Sequence, residues 1–205
     1  MTEQLKQQNI LIETEKSKLY TIDEFIQDHE YYFDLCSELE LKSNPKIFIF
    51  NKECIMHNKE CIMHRDIGFY SDESIGYRYS GQISQSKKLL EWMTNLLNKV
   101  NDELKTDFNG ILINKYKDGN DYIGAHSDDE KNLSKNSSVA CISLGEERIF
   151  RIKNKFSNEK IDIINKSGQL LVMEGNFQKE FTHEIPIQKR KKNCRISLTF
   201  RKHLE

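Results

Sequence analysis

Proline is almost missing from this chain: two residues in 205. Strands without proline keep every ladder donor, so extended segments are rarely interrupted. The five cysteines are odd in number and have no framework spacing. That argues against a disulfide-stapled secreted scaffold and for a reducing compartment. No apolar run reaches ~18 residues, so no helical membrane span and no membrane partner are expected. The opening MTEQLKQQNILIETEKSK lacks the apolar core of a secretory signal. An intracellular protein is expected, nuclear if the source is a eukaryote. Neither sign of charge dominates, with 31 Lys and Arg against 32 Asp and Glu. Binding to a polyanion through bulk charge is therefore excluded, and any nucleic-acid contact must come from local patches.

What is present is an ordinary globular composition, 37% hydrophobic and 31% charged. Residues 1–18 are polar and are expected to form an N-terminal tail, with 19–205 a single domain acting as a monomer. Thr21-Ile22-Asp23-Glu24 has the form of a capping box. It predicts a helix burying Phe25, Ile26, Phe33, Cys36 and Leu39 and closed by Pro45. KIFIF (46–50) predicts a strand. DIGFY (66–70) and IGYRYS (75–80) predict a hairpin across SDES. Leu89, Leu90, Met93, Leu96, Leu97, Val100 and Leu104 predict a helix from about residue 86 to 104. After Gly110 the texture changes to ILINKY, VACISL, RIFRI, KIDII, GQLLVM, FTHEI and CRISLTF. These are short β-type runs split by polar turns. Helices first and many strands later predict a mainly β, α+β fold: a sandwich or jelly roll with helices packed outside.

Candidate chemistry lies in Gly124-Ala125-His126-Ser127-Asp128-Asp129-Glu130. His126 and Asp128 are two apart, so in extended chain they face the same way. His183 follows 57 residues later in FTHEI. Two imidazoles and one carboxylate make a facial triad, which leaves open positions on Fe(II) for a chelating cosubstrate and O₂. Alone, a His-x-Asp pair is weak evidence, because most such pairs are surface accidents. The strand Arg195-Ile196-Ser197-Leu198-Thr199-Phe200-Arg201 strengthens it. Ile196, Leu198 and Phe200 face one side; Arg195, Ser197, Thr199 and Arg201 face the other. Two arginines on an inward face are costly unless anions meet them. A dicarboxylate would supply bidentate partners, whereas on an edge strand the same arginines would simply be solvated.

NGILINKYKDGNDYIGAHSDDE, with GQLLVM, FTHEIP and RISLTFRK, resembles the AlkB-type 2-oxoglutarate and Fe(II)-dependent dioxygenases, and most of all the eukaryotic branch that repairs alkylated DNA. The likeness covers roughly residues 46–203. It implies a double-stranded β-helix (jelly roll) over about 108–203, preceded by a nucleotide-recognition lid over about 46–85. Carried over, His126, Asp128 and His183 match the iron ligands. Asn114 and Tyr116 match hydrogen-bonders to 2-oxoglutarate, Arg195 the arginine on its distal carboxylate, and Arg201 a second arginine near it. Ser197 departs from the pattern, where the family has Asn. Serine is shorter and lacks the amide donors, so a weaker or water-bridged contact is expected. Glu130 matches the residue reading the exocyclic edge of the target base. Tyr77 would hydrogen-bond that base, and Tyr79 would stack on it opposite His126. Arg65 matches an arginine of the lid. Outside the resemblance, both tyrosines read as ordinary hairpin aromatics. Lys189-Arg190-Lys191-Lys192 reads equally as a phosphate contact or as a solvated charge run.

The stretch NKECIMHNKECIMHR states seven residues twice. Cys54, His57, Cys61 and His64 offer the four donors a tetrahedral zinc site needs, but the spacing is not a standard finger. In the resembling proteins, one copy fills the distance from a strand aromatic, here Phe50, to the lid arginine. The second copy is therefore expected to be a tandem insertion in a surface loop, where length costs little. Phe50 matches an aromatic that wedges into the duplex in the repair branch.

The expected function is oxidative demethylation of 1-methyladenine and 3-methylcytosine in DNA, releasing formaldehyde, succinate and CO₂. The same chemistry on RNA or on a protein side chain is the alternative. A binding module with a vestigial metal site is a third reading, which succinate release would exclude.

Overall fold

The computed structural model describes residues 7–45, 62–79, 82–130, 133–134, 137–157 and 159–204, with the strand pairs 48–49, 52–53, 55–56 and 59–60 between the first two stretches. In chain order, β1 (Asn9–Glu13) and β2 (Ser17–Ile22) precede α1 (His29–Ser37). Four two-residue strands follow: β3 (Phe48–Ile49), β4 (Lys52–Glu53), β5 (Ile55–Met56) and β6 (Lys59–Glu60). Next come β7 (Asp66–Tyr70), β8 (Gly76–Tyr79), β9 (Gln82–Gln85) and α2 (Glu91–Leu104). The remainder is β10 (Gly110–Tyr116), β11 (Ile123–His126), β12 (Val139–Gly145), β13 (Arg148–Asn154), β14 (Lys160–Asn165), β15 (Leu170–Gly175), α3 (Phe177–Glu180), β16 (Phe181–Ile185) and β17 (Arg195–Arg201).

The strands form a seven-stranded sheet, β1-β2-β15-β12-β17-β10-β7, and a four-stranded sheet, β11-β16-β13-β14. Leu19, Tyr116, Val139, Leu171 and Met173 of the first pack on Ile123, Phe150, Ile152, Phe181 and Ile185 of the second. Two antiparallel sheets face to face are the jelly roll expected from the sequence. The helices cover the opposite face of the large sheet. There Met93, Leu96, Leu97 and Val100 of α2 and Cys36 of α1 meet Ile111, Ile113, Ala140, Ile142, Ile196, Leu198 and Phe200. The alternation in β17 is thus real: its apolar residues serve the helix-covered core, and its polar set faces the other sheet.

Four expectations need correction. Residues 9–18 are not a loose tail, because β1 pairs with β2, and β2 pairs with β15 from Leu170↔Ile22 to Gly175↔Ser17. Thr21-Ile22-Asp23-Glu24 does not cap a helix. Ile22 ends β2, Glu24 takes a positive φ of 50°, and the Asp23 carboxylate accepts from Gln169 Nε2 at 2.6 Å. A six-residue ladder outweighs a local capping preference, so α1 starts only at His29 and has ended at Ser37, well before Pro45. β7 and β8 are not a hairpin either. β7 pairs with β10, and β8 pairs with β9 as a separate ribbon. Finally, α2 starts at Glu91 rather than near 86. Lys87 is extended and exchanges hydrogen bonds with β7, donating to Phe69 O at 2.9 Å and accepting from Ser71 N at 2.9 Å.

The duplicated heptad has a visible backbone consequence. β3 pairs with β4 through Phe48↔Glu53 and Ile49↔Lys52. β5 pairs with β6 through Ile55↔Glu60 and Met56↔Lys59. The second register is the first moved along by seven residues. Phe50, Cys54, His57 and Cys61 lie outside the described residues, so the zinc-like pattern and the aromatic wedge rest on the sequence alone. His64 is described: its ring stacks on Tyr122 with centroids 4.8 Å apart, and its carbonyl accepts from Tyr122 N at 3.0 Å.

Candidate metal centre and cosubstrate pocket

The pairing of β11 with β16 sets His126 directly opposite His183. Cross-strand neighbours on one face meet side by side, and the two ring centroids are 4.4 Å apart. Asp128 follows two residues later. Its carboxylate oxygens lie 3.6 Å from His126 Nε2 and 3.8 Å from His183 Nε2. The ligand atoms of all three lie within 4.8 Å of one another, the one such His/Cys/Asp/Glu group among the described residues. His126 Nδ1 sits 2.9 Å from Gly124 O, which makes it the protonated nitrogen and leaves Nε2 for a metal. His183 stacks on Phe150 at 5.1 Å and 15°.

Electrostatics prepare the triad for a cation. Burial, helped by the neighbouring His126 ring, pushes His183 down to about 3. Burial also holds His126 below its ordinary value. Both imidazoles are therefore neutral ligands at neutral pH. Burial would raise the Asp128 carboxyl, but the Arg201 guanidinium holds it well below the usual carboxylate range. Asp128 Oδ2 and His183 Nδ1 are buried without hydrogen-bond partners. A carboxylate oxygen left bare between two neutral imidazoles fits a divalent metal.

The residues expected at the cosubstrate line up by register. β10 and β17 place Asn114 opposite Ser197 and Tyr116 opposite Arg195, and β12 places Ser143 opposite Ser197. Arg195 is 1% exposed; its Nε donates to Ser143 Oγ at 2.8 Å, and its NH1 is buried without a partner. Its cation lies 5.3 Å from the Tyr116 ring centroid. A buried guanidinium with a bare N–H fits a carboxylate. Asn114, Arg195 and Ser197 share a cavity with the triad, also walled by Cys141 and Thr199, whereas Tyr116 does not line it and is packed in the core between the sheets. Arg65, expected in the lid, donates through Nε to Asn114 Oδ1 at 2.7 Å and is 4% exposed, so it is held against β10.

On the other side of Asp128, Tyr77 Oη donates to Glu130 Oε1 at 2.7 Å, and Arg201 NH1 stands 3.8 Å from the same oxygen. Burial keeps the Tyr77 phenol well above its ordinary value, so it remains a donor. Burial raises the Glu130 carboxyl, with Arg201 opposing. A groove of about 430 Å³ opens here between Asp128, Glu130, Leu133 and Gln178. The Tyr79 side chain lies outside the described residues. A larger cavity, about 540 Å³ between Asp23, Glu147 and Lys166, is remote from this chemistry.

The basic run lies on a loop held by a residue the sequence reading missed. Arg148, 0% exposed, donates to the carbonyls of Asp118, Asp121 and Pro186 at 2.8–2.9 Å and to Gln188 Oε1 at 3.1 Å. Gly119 fits beneath the same loop because a Cβ there would collide with the Gln188 carbonyl. Lys191 is bonded to Glu146 at 2.9 Å, while Lys189, Arg190 and Lys192 are exposed. Ser143 and Gln178 were also missed. Nothing local distinguishes a serine or glutamine whose partner returns from 50 residues away.

Comparison with known proteins agrees with this geometry. The family model described as the 2OG-Fe(II) oxygenase superfamily matches residues 19–201. A Mus musculus protein named DNA oxidative demethylase ALKBH2 is 34% identical over 143 residues, covering 66% of this chain and 60% of its own. A Bos taurus protein named Alpha-ketoglutarate-dependent dioxygenase alkB homolog 3 is 32% identical over 115 residues, 52% of this chain and 40% of its own. This chain thus spans less than two thirds of the length of either relative. A solved structure described as that of OsALKBH1 aligns with a TM-score of 0.58 at 17% identity, covering 90% of this chain and 97% of that one, and supports the fold. No helix among the described residues is long and apolar enough to cross a membrane. The matched span runs from the second strand to the end of the arginine-bearing strand, and the chain belongs to the 2OG-Fe(II) oxygenase superfamily as an AlkB-type member.

Proposed function

We propose that this protein oxidatively demethylates N-methylated nucleobases, with 1-methyladenine and 3-methylcytosine in DNA as preferred lesions. The observation that carries the reading is the Tyr77–Glu130 pair beside the triad. It leaves Glu130 Oε2 buried and without a hydrogen-bond partner. A bare carboxylate oxygen of that kind accepts from an exocyclic amine and is favoured by a cationic ring. Both features belong to these two lesions. Methylation at these positions also blocks base pairing, so the damaged base leaves the stack more easily than an intact one.

The residues divide the work. His126, Asp128 and His183 would hold Fe(II), and Arg195, with Asn114, Tyr116 and Ser197, would seat 2-oxoglutarate. When bound, that pair with O₂ supplies oxidation of an inert C–H bond, giving succinate and CO₂. Hydroxylation of the N-methyl carbon makes the N–C bond labile, and formaldehyde leaves as the base recovers its lone pair. The protein's own part is placement. Tyr77 and Glu130 orient the base edge, Phe150 and the sheet interior exclude water, and Arg201 holds Asp128 ionised. Lys189, Arg190 and Lys192 offer phosphate contacts on the loop that Arg148 holds. RNA carrying the same lesions is the second reading, since nothing in the Tyr77–Glu130 pair addresses the sugar.

The test is mass spectrometry of methylated oligonucleotides incubated with protein, Fe(II), 2-oxoglutarate and ascorbate. Replacement of one methyl group by hydrogen, a net loss of CH₂, with release of formaldehyde is expected, and Glu130→Ala should lose far more activity on the cationic lesions than on neutral 3-methylthymine. Equal losses on both would remove the charge-reading role. Hydroxylation of a peptide with no demethylation of DNA or RNA would reject the reading.

A further inference from the structure

We infer that Gln178 is a positioning residue for the metal centre: its side-chain oxygen fixes the backbone of the turn that carries Asp128, so that all three ligands are indexed to one short segment. The inference rests on the triad being a metal site and is independent of the substrate.

Beyond His126 the β11–β16 ladder ends. No strand partner then holds Ser127 or Asp128, yet the Asp128 side chain is 1% exposed and must keep one position. Two side-chain contacts replace the ladder. Asp128 N donates to Gln178 Oε1 at 2.9 Å, and Ser127 Oγ donates to Phe181 O at 2.9 Å. Both partners come from α3 and the first residue of β16, and His183 follows two residues after Phe181. The turn bearing two ligands is therefore pinned to the segment that bears the third.

The orientation of the Gln178 amide follows from chemistry. Its Nε2 points at Met173 Sδ, 3.5 Å away. Flipping the amide would set its NH₂ against the Asp128 N–H, donor against donor, so only the observed assignment satisfies the site. The holder is itself held. Asn176 N donates to Lys16 O at 2.8 Å, and Lys155 Nζ donates to Gln178 O at 2.8 Å. Glu180 accepts from the Thr14 and Ser17 hydroxyls at 2.9 and 2.7 Å. Phe177 stacks on Phe181 at 4.9 Å. This explains why a single helical turn interrupts the chain just before β16. It aims one acceptor at a backbone N–H for which the described residues offer no other acceptor.

Partners one step removed from a metal typically tune its affinity ~10–100-fold. The deciding comparison is between Gln178→Met, which keeps the length and removes the acceptor, and Gln178→Glu, which keeps an oxygen there. Mn(II) affinity is measured by electron paramagnetic resonance in the presence of 2-oxoglutarate without substrate, beside the thermal midpoint of the metal-free protein. Gln178→Met should weaken Mn(II) ~10–100-fold, and Gln178→Glu should bind it as tightly as wild type or more so. Wild-type Mn(II) affinity in Gln178→Met with only a lowered midpoint would reduce the residue to a structural role and overturn the inference. Equal weakening in Gln178→Glu would overturn it too. Should Gln178→Met not fold, Ser127→Ala removes the other pin. Weaker Mn(II) binding there supports the inference, and unchanged binding overturns it. Wild-type failure on nucleic acid would leave these outcomes untouched.

Discussion

Arg201 and Asp128 meet across 2.6 Å with side chains only 4% and 1% exposed. The pair joins the triad to the Tyr77–Glu130 pair, since Arg201 also lies 5.2 Å from the Tyr77 ring centroid. Breaking a buried pair by removing one partner leaves an uncompensated charge, which costs about 3–5 kcal/mol. Arg201→Met should therefore destabilise the metal-free protein by about that amount in urea unfolding. An unchanged midpoint would mean that the pair does not hold the carboxylate.

Arg195 uses Nε on Ser143 and keeps its other end bare. Lysine at this place would offer a point charge instead of a fork. Losing a charge-assisted bidentate contact of about 1.5–3 kcal/mol predicts a KM for 2-oxoglutarate raised roughly 10–100-fold in Arg195→Lys, with the unfolding midpoint little changed. Ser197→Asn should lower that KM or leave it unaltered. Steady-state assays of succinate release settle both.

His203 is 3% exposed, and neither ring nitrogen has a hydrogen-bond partner. The ring sits 4.7 Å from Phe69 and 6.3 Å from Tyr77. Burial first, then Arg201, pushes it down to about 4. The unfolded chain takes up a proton near pH 6.5 and the folded chain does not, so stability present above that pH drains away as pH falls toward 4. At pH 5 the loss amounts to about 2 kcal/mol. His203→Phe keeps a ring among the aromatics and has nothing to protonate. Between pH 7.5 and 5 the wild type should lose about 2 kcal/mol more than the variant in paired denaturation curves; parallel pH profiles would refute the assignment.

Removing Asn58–His64 gives the same chain as removing Asn51–His57, because the copies are identical. One hairpin register then remains of two. Loop length carries a small entropic term, so stability should move by less than about 1 kcal/mol and Mn(II) affinity should stay within roughly threefold. One zinc per chain in the full-length protein, lost together with folding on deletion, would reverse the insertion reading.

The sequence made the second half of the chain readable and the first half less so. β17 alternates cleanly because one face meets the helices and the other meets the second sheet, so period two survives burial on both sides, whereas β10 and β12 show as short apolar runs. His126 and Asp128 could be picked out by their two-residue spacing, but the ladder sets only His126 opposite His183, and Asp128 lies beyond its end. Thr21–Glu24 misled because a capping signature is local, whereas the ladder to β15 that overrides it is set 150 residues away. The β8–β9 ribbon was misassigned because DIGFY pairs with β10 rather than with its neighbour in sequence. Arg148, Ser143 and Gln178 were invisible: their partners, three carbonyls and Gln188 for Arg148, the Arg195 guanidinium for Ser143 and the Asp128 N–H for Gln178, are distant in sequence, and polar singletons have no period.

The position of β17 bears on how the molecule comes to be made. It lies between β12 and β10 in the large sheet, paired with β10 from Arg195 to Arg201 and with β12 from Arg195 to Phe200. Those two strands are synthesised well before it and have no ladder to each other. At ribosomal speeds of about 5–20 residues per second, the interval from the end of β12 at residue 145 to residue 201 is roughly 3–11 s. Through that interval two β-branched edges face one another across a missing strand, the condition in which nascent sheets find wrong partners. Arg195 and Arg201 occupy the late strand itself. Two cations on the piece that completes the sheet discourage it from pairing with another chain's open edge, so the residues that serve the pocket also guard its assembly.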